Sequence, residues 1–208
     1  DGIDKWRTIT TGNLPDIMKM SSQSAWYTPI VTNLYAILQQ ELTTPEDKAR
    51  ILAVSSAEAS AWLQAIPSAP LGLHMPNETF RIAIALRLGS DLCEPHRCPA
   101  CGDQVNQREL HGLTCLKGTG RHTRHSSVND IILRALITAG LPSVREPSGC
   151  SRSDGKRPDG MTLVPWMRGK SLIWDFTCTD TYAYSSLPVT TVSAGEAANR
   201  RESEKSKE

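Results

Sequence analysis

Three cysteines and a histidine between residues 98 and 115 place the tightest constraint on how this chain folds. They follow the spacing Cys98-x2-Cys101-x9-His111-x3-Cys115. A turn between two cysteines three positions apart brings both thiolates to one ion, and a histidine with a third cysteine completes a tetrahedron around zinc. The alternative is a set of buried free cysteines. The spacing favours a structural Zn²⁺ site that folds residues 91–120 into a small knuckle.

The first ligand of this site has a second candidate, because Cys93 lies five residues before Cys98 and offers the same thiolate. Gly102 follows the second cysteine and suits the tight turn of a zinc knuckle. Cys150 and Cys178 have no evident partners in the sequence.

Two segments rich in β-forming residues, 161–165 and 171–178, predict a β-hairpin. Met167, Arg168 and Gly169 lie between them and predict a three-residue loop. Such loops commonly end with a residue in the left-handed conformation, which glycine adopts without a Cβ penalty.

The register of this hairpin brings two aspartates to one side of it. Pairing Trp166 with Lys170 puts Asp159 opposite Thr177. Because side chains alternate between the two faces of a strand, Asp159 and Asp175 then share a face.

An acidic pair on neighbouring strands needs an explanation, since aspartate is depleted in strands and Asp175 lies inside an apolar run. Two like charges a few ångströms apart repel unless they share a proton or a divalent cation lies between them. Mg²⁺ prefers one or two carboxylates together with water and phosphate oxygens, which indicates a phosphodiester site. The alternative is two solvated loop aspartates.

The run Lys156-Arg157-Pro158-Asp159, the pair Trp174-Asp175 and the later Lys205 resemble the restriction-like endonuclease domain of site-specific non-LTR retrotransposon polyproteins. These domains are relatives of the PD-(D/E)XK nucleases. The resemblance covers residues 61–208 and includes a zinc motif in the family's position. It implies an endonuclease in which Asp159 and Asp175 hold Mg²⁺ or Mn²⁺, with the carbonyl of Phe176 as a further oxygen ligand.

The lysine of the motif departs from the parent superfamily, which places it two residues after the second acid, where this chain has Thr177. The resemblance implies a lysine on the following helix, and residues 196–207 are helix-like in composition. Lys205 matches that position best and Lys207 is a close second. Its implied role is to orient the attacking water and to offset transition-state charge. The alternative is an ordinary solvated helix face, because acidic and basic residues crowd this segment.

The basic residues concentrate in the middle of the chain. The formal net charge is +1, yet residues 91–170 hold twelve Lys and Arg against eight Asp and Glu. This excess predicts contacts with a phosphate backbone that do not depend on the nucleotide sequence. The basic residues are densest at 118–125, which we predict to be a phosphate-contacting loop. A merely solvated loop is the alternative. The candidate nucleic-acid-binding residues are Arg121, Arg124, His125, Lys156 and Arg157.

Helix signals occur on both sides of the zinc motif. The predicted helices run from Thr28-Pro29 to Leu42, from Thr44-Pro45 toward Leu63, over Asn77 to Leu88, and from a cap at Ser127 to Gly140.

The expected fold is therefore α+β (α/β) in three parts. These are a helical linker region at 1–90, the CCHC zinc-knuckle module at 91–120 and a restriction-like endonuclease domain at 121–208 with an α-β-β-β-α core. The superfamily core has one more strand, so we expect a C-terminally truncated core with weak or no activity.

The first functional hypothesis is a Mg²⁺-dependent endodeoxyribonuclease that nicks target DNA to prime reverse transcription. Its implied partners are a DNA target, element RNA and a fused or adjacent reverse transcriptase, in the nucleus and without a membrane. The alternative is a non-catalytic nucleic-acid-binding or structural remnant of a degenerate mobile element. A hydrolase with a Cys or His nucleophile is a weaker third, because no cysteine lies in a recognisable nucleophile motif.

Overall fold

The computed structural model describes residues 2–10, 23–151 and 155–205 of the 208 residues. The chain combines helices with two small antiparallel sheets, so its class is α+β, as the sequence predicts. Among the described residues, every helix is too short or too polar to traverse a lipid bilayer.

Up to residue 90, the regular elements of the described residues are all helices. These are α1 (Gly2–Thr10), α2 (Ser24–Glu41), α3 (Pro45–Ser55), a 3-10 helix (Glu58–Gln64) and α4 (Asn77–Leu88). Helix α3 begins as predicted, because the Thr44 side chain accepts a hydrogen bond from the Asp47 amide at 3.1 Å and Pro45 occupies the first turn. Helix α2 begins four residues before Thr28, and Pro29 lies inside it.

A small hairpin and a short helix form the zinc-motif region. Strands β1 (His96–Arg97) and β2 (Gln104–Val105) pair antiparallel, and α5 (Leu110–Thr114) follows them. The Val105 side chain on β2 is buried, so this face of the hairpin is turned toward the protein interior.

The remaining elements are α6 (Gly120–Thr138), β3 (Ser143–Arg145), β4 (Gly160–Thr162), β5 (Ile173–Trp174), α7 (Leu187–Thr190) and α8 (Glu196–Lys205). The sheet order is β3-β4-β5, and α6 packs on β3 and β4. Helix α6 begins seven residues before the predicted cap at Ser127. Residues 120–125, predicted to be a phosphate-contacting loop, are therefore its first turns.

The hairpin between β4 and β5 is present, but its strands are shorter than predicted. Its loop is a two-residue turn, because Met167 and Lys170 pair and both Arg168 and Gly169 have positive φ, as type I′ turns require. Trp166 N donates to Lys170 O at 2.8 Å, as the predicted register requires.

A two-residue bulge then shifts the register before the aspartates. The Thr162 amide donates to Leu172 O, and the Thr162 hydroxyl accepts from the Leu172 amide at 2.9 Å and donates to Val164 O at 2.8 Å. This hydroxyl therefore replaces a backbone carbonyl as the acceptor for the Leu172 amide. Gly160 consequently pairs with Trp174. The predicted pairing of Asp159 with Thr177 is wrong by two residues, and a two-residue shift preserves the alternation of faces.

Candidate functional site

The first half of the zinc motif lies at the tip of the β1-β2 hairpin. The amide of Gly102 donates to Cys98 O, and the amide of Cys98 donates to Asp103 O, both at 2.8 Å. Gly102 has φ of +84°, a conformation that closes the turn and that a residue with a Cβ rarely adopts. The turn therefore carries Cys98 and Cys101 on one side of the hairpin tip.

The second half of the motif lies on α5. His111 and Cys115 are four residues apart and share one helix face, and the Cys115 amide donates to His111 O at 2.8 Å. The four ligand atoms of Cys98, Cys101, His111 and Cys115 all lie within 4.8 Å of one another. The structure thus brings together the four residues predicted from their spacing.

Two separations between these atoms lie just above and just below those around a tetrahedral ion. Cys98 Sγ lies 3.9 Å from Cys115 Sγ, and Cys101 Sγ lies 3.1 Å from His111 Nε2. Around zinc, with Zn–S bonds of about 2.3 Å, neighbouring ligand atoms lie roughly 3.5 to 3.8 Å apart. Cys93 does not replace Cys98, because its thiol donates to Asn106 O at 3.4 Å instead. The cluster can bind a metal such as zinc.

The thiols of the cluster differ in acidity. Backbone hydrogen bonds from Cys101 and Ala100 lower the pKa of Cys98 to about 6. The backbone of Asp103 acts to lower the pKa of Cys101, but desolvation and the adjacent Cys98 raise it to about 12. The Cys98 thiolate therefore forms readily, and its negative charge opposes ionisation of Cys101. A divalent cation bound between them would offset this repulsion.

A partly buried charge cluster connects the zinc module to the helical region. Arg108 Nη1 donates to Asp47 Oδ1 at 2.7 Å, and Arg50 binds the same oxygen at 3.2 Å. Burial acts to raise the pKa of Asp47, but the hydrogen bonds from Arg108, Thr44 and Arg50 lower it overall. The other side of the module is tied to α6, where Arg124 Nη2 donates to Leu113 O at 3.3 Å.

The two predicted catalytic aspartates lie at one end of the β4-β5 pair. Asp159 immediately precedes β4 and Asp175 immediately follows β5, and antiparallel pairing puts those ends side by side. The Asp159 side chain is only 15% exposed, whereas that of Asp175 is 50% exposed.

Asp159 has two partners, and both end on the same oxygen. The amide of Phe176 donates to Asp159 Oδ2 at 2.7 Å, and His125 Nε2 lies 3.1 Å from that oxygen. The His125 ring also packs against the Phe176 ring, with centroids 5.9 Å apart. Neither of these two polar contacts involves the other carboxylate oxygen, Asp159 Oδ1.

His125 is itself supported by two residues that the sequence did not indicate. Asn129 lies one helical turn along α6, and its Nδ2 is 3.3 Å from His125 Nδ1. The Trp174 indole Nε1 donates to Asn129 Oδ1 at 3.0 Å. Asn129 is completely buried. The four-residue separation of His125 and Asn129, which puts them on one helix face, is the sequence signal that connects two of these three residues.

Lys205 lies in the last described turn of α8 and contacts the second aspartate. Its Nζ is 2.8 Å from Asp175 Oδ2 and 3.2 Å from Asp175 O. Lys207 lies outside the described residues. Of the two candidate lysines, Lys205 is therefore the one within the described residues, and it lies beside Asp175.

The predicted nucleic-acid-binding residues fall into three settings. His125 contacts Asp159, and Arg124 donates to Leu113 of the zinc module. Lys156 and Arg157 are exposed in the loop that leads into Asp159. Arg121 lies in the first turn of α6, and its side chain is outside the described part of the structure.

A cleft of about 550 Å³ adjoins this site between α5 and α8. Its wall includes Leu113 from the zinc module, Thr177 and Cys178 from the segment after β5, and Arg201 and Lys205 from α8. The zinc module and the lysine of the acidic site thus border one concave surface.

No family model, curated protein or solved structure matches this chain.

Proposed function

We propose that residues 121–208 form a metal-dependent DNA endonuclease with a restriction-like core, and that residues 91–120 form a zinc module that helps to dock nucleic acid. The observation that carries this proposal is the meeting of Asp159, Asp175 and Lys205 at one end of a small antiparallel sheet. The order of elements from α6 onward, one helix, three strands and then the short α7 and α8, is compatible with such a core.

The donor set of the acidic end suits Mg²⁺ or Mn²⁺. Two carboxylates are available, and both described contacts of Asp159 end on Oδ2. Asp159 Oδ1 and the Asp175 carboxylate are therefore the proposed protein ligands, with the carbonyl of Phe176 as a third. Hard divalent cations of this kind bind one or two carboxylates and keep water and phosphate as further ligands.

Each protein residue then has a separate task in phosphodiester hydrolysis. When bound, the cation supplies charge stabilisation and an acidified water. Asp159 and Asp175 fix its position, and Lys205, held against Asp175, orients the attacking water and offsets charge that develops on the phosphate. The exposed Lys156 and Arg157 contact the backbone of the DNA next to the first aspartate.

The proposed role of the zinc module is structural and not catalytic. Its four ligands are all protein side chains, which is typical of a structural zinc site without an open position for substrate. It borders the cleft that reaches Lys205, so a strand of DNA or element RNA that crosses this cleft would contact both parts. A retrotransposon-type polyprotein with an adjacent reverse transcriptase, acting in the nucleus to prime reverse transcription, is the proposed setting.

The experiment that tests this function is nicking of supercoiled plasmid in Mg²⁺ or Mn²⁺ by the protein and its Asp175→Ala and Asp159→Ala variants. We expect nicking to disappear in both variants while DNA binding persists, because ligands are lost and the basic surface is kept. Asp91→Ala removes an exposed acid at the first position of the zinc module, away from the proposed ligands, and is the matched control that should nick normally.

Equal nicking by the protein and both variants would mean that a contaminant is responsible. The second candidate function is a non-catalytic nucleic-acid-binding or structural remnant. It is favoured by the internal partners that His125 and Lys205 supply to both aspartates, because these partners satisfy the acids without a cation. Absence of nicking in every form, with one zinc bound per chain, would support that second function.

A further inference from the structure

We infer that His125 is a positioning residue for Asp159, held in one tautomer by Asn129 and Trp174, and that this hydrogen-bonded chain prepares Asp159 Oδ1 for the divalent cation. The inference rests on the proposed function. It assigns a role at the metal site to residues of α6 and β5 that carry no acid of their own.

The direction of every hydrogen bond in the chain follows from its first member. An indole N–H is only a donor, so the atom that Trp174 contacts must be the amide oxygen of Asn129. The amide NH₂ of Asn129 then faces His125 Nδ1, which must accept. A neutral imidazole that accepts at Nδ1 carries its proton on Nε2, and Nε2 is the atom that lies 3.1 Å from Asp159 Oδ2.

Burial makes this chain rigid. Asn129 has no exposed surface, so each of its polar groups depends on a protein partner, and rotation of its amide would place two donors or two acceptors against each other. Trp174 is fixed from its other side, because the indole ring covers Gly160. A Cβ on Gly160 would lie 1.9 Å from Trp174 Cζ2.

The chain determines which oxygen of Asp159 remains for a ligand. Asp159 Oδ2 accepts from both His125 and the Phe176 amide, which fixes the rotation of the carboxylate. Metal-binding groups are commonly oriented by such outer partners, and removing one typically lowers metal affinity 10-fold to 100-fold. A purely structural chain would change the stability of the protein and leave its affinity for a cation unaltered.

The test measures Mn²⁺ affinity by calorimetry on the zinc-loaded protein, beside the nicking rate and the melting temperature. We expect His125→Phe to weaken Mn²⁺ binding about 10-fold. His125→Gln should recover most of this loss, because the glutamine amide can donate to Asp159. Trp174→Phe keeps a ring over Gly160 but removes the donor, and we expect a smaller weakening of roughly 3-fold.

The matched control is His122→Phe, the same change on an exposed position of α6, which should leave Mn²⁺ affinity unchanged. Nitrogen-15 NMR of the histidine rings gives a readout that needs no cation. The signal that is lost in His125→Phe should show the Nε2–H tautomer in the unaltered protein.

The outcomes separate this inference from the function on which it rests. If the unaltered protein binds Mn²⁺ no better than Asp159→Asn, the nuclease proposal and this inference both fail. If the protein binds Mn²⁺ and His125→Phe binds it equally well, only the inference fails. An Nδ1–H tautomer at His125 would also overturn it, because Nε2 would then carry no proton to donate to Asp159 Oδ2.

Discussion

The zinc module and the acidic site are built from opposite kinds of sequence information. All four ligands of the zinc cluster come from 18 consecutive residues, and a hairpin followed by one short helix brings them together. The acidic site draws on α6, the start of β4, the end of β5 and α8, so that residues 125 and 205 belong to one constellation. Local chemistry specifies the first, whereas tertiary packing specifies the second.

This difference has an energetic counterpart. A metal ion bound by four side chains contributes folding free energy of its own, so we expect the zinc-loaded module to depend less on its surroundings than the acidic site does. The acidic site depends on several partly buried polar contacts, and each contributes only about 1 kcal/mol. The two regions should consequently respond to different perturbations, and the following predictions are ordered from the largest expected effect to the smallest.

Removal of zinc should have the largest effect. We expect Cys115→Ser, or treatment with a strong chelator, to unfold residues 91–120, because a knuckle of this size cannot bury enough surface without its metal. Zinc content and amide hydrogen exchange measure the result. Cys178→Ser is the matched control and should retain one zinc. Full protection of β1 and β2 in the chelated protein would contradict the metal-dependent fold of the module.

The second prediction concerns Lys205 and separates chemistry from stability. We expect Lys205→Ala to lower the nicking rate about 100-fold while Mn²⁺ affinity and melting temperature change little, since a half-exposed ion pair stabilises a fold weakly. Rates at saturating Mn²⁺ measure this directly. Lys170→Ala, an exposed lysine next to the hairpin turn, is the control. An unchanged rate in Lys205→Ala would remove Lys205 from the proposed mechanism.

The third prediction breaks the packing of the acidic site and spares the zinc module. Gly160→Ala would drive a Cβ into the Trp174 ring, and such overpacking costs about 1 to 3 kcal/mol. Denaturant unfolding should show this loss, with zinc content unchanged. In Gly120→Ala the new Cβ meets no atom within 4 Å, and this variant should be at least as stable as the parent. Equal stability of the two variants would mean that Trp174 moves freely.

The fourth prediction tests the contact between the zinc module and the helical region through its pH dependence. The folded pKa of Asp47 is lowered from its usual value of 3.8, so the charged form stabilises the fold at neutral pH. This contribution is complete above pH 3.8 and is lost as the pH falls through the lower folded value. We expect Asp47→Asn to cost about 1 to 3 kcal/mol at pH 6.

The difference between the parent and Asp47→Asn should shrink as the pH falls below 3.8, which denaturant unfolding at a series of pH values will measure. Glu78→Gln removes an exposed ion pair with Arg81 and serves as the control with little expected effect. A difference that stays constant from pH 6 to pH 3 would show that the charge of Asp47 is not the cause.

The sequence predicts the zinc cluster well because its signal is local. Cys98, Cys101, His111 and Cys115 have the spacing that one turn and one helical repeat require, and the structure brings those atoms together. The structure also removes the alternative, since the Cys93 thiol has a backbone partner. The class of the fold and the existence of the β4-β5 hairpin were also predictable, because both rest on local propensity.

The details of the acidic site were harder to predict because they depend on contacts between distant residues. The predicted register is wrong beyond Thr162, because the Thr162 hydroxyl replaces a backbone carbonyl as the acceptor for the Leu172 amide, and the sequence pattern alone does not reveal this exchange. The sequence predicts phosphate contact for His125 because its neighbours in sequence are basic. Its partner Asp159 lies 34 residues away, and Trp174 lies 45 residues from Asn129.

The ring of Trp174 over Gly160 also determines how a mutational survey of this protein should be interpreted. The space that a side chain at position 160 would need is already filled, so every substitution there should reduce function. A survey scored only by activity would therefore place Gly160 with its neighbour Asp159 in one intolerant motif. Such a score would not distinguish Gly160, which shapes the sheet, from Asp159, the proposed metal ligand, and only a parallel score of protein abundance would separate them.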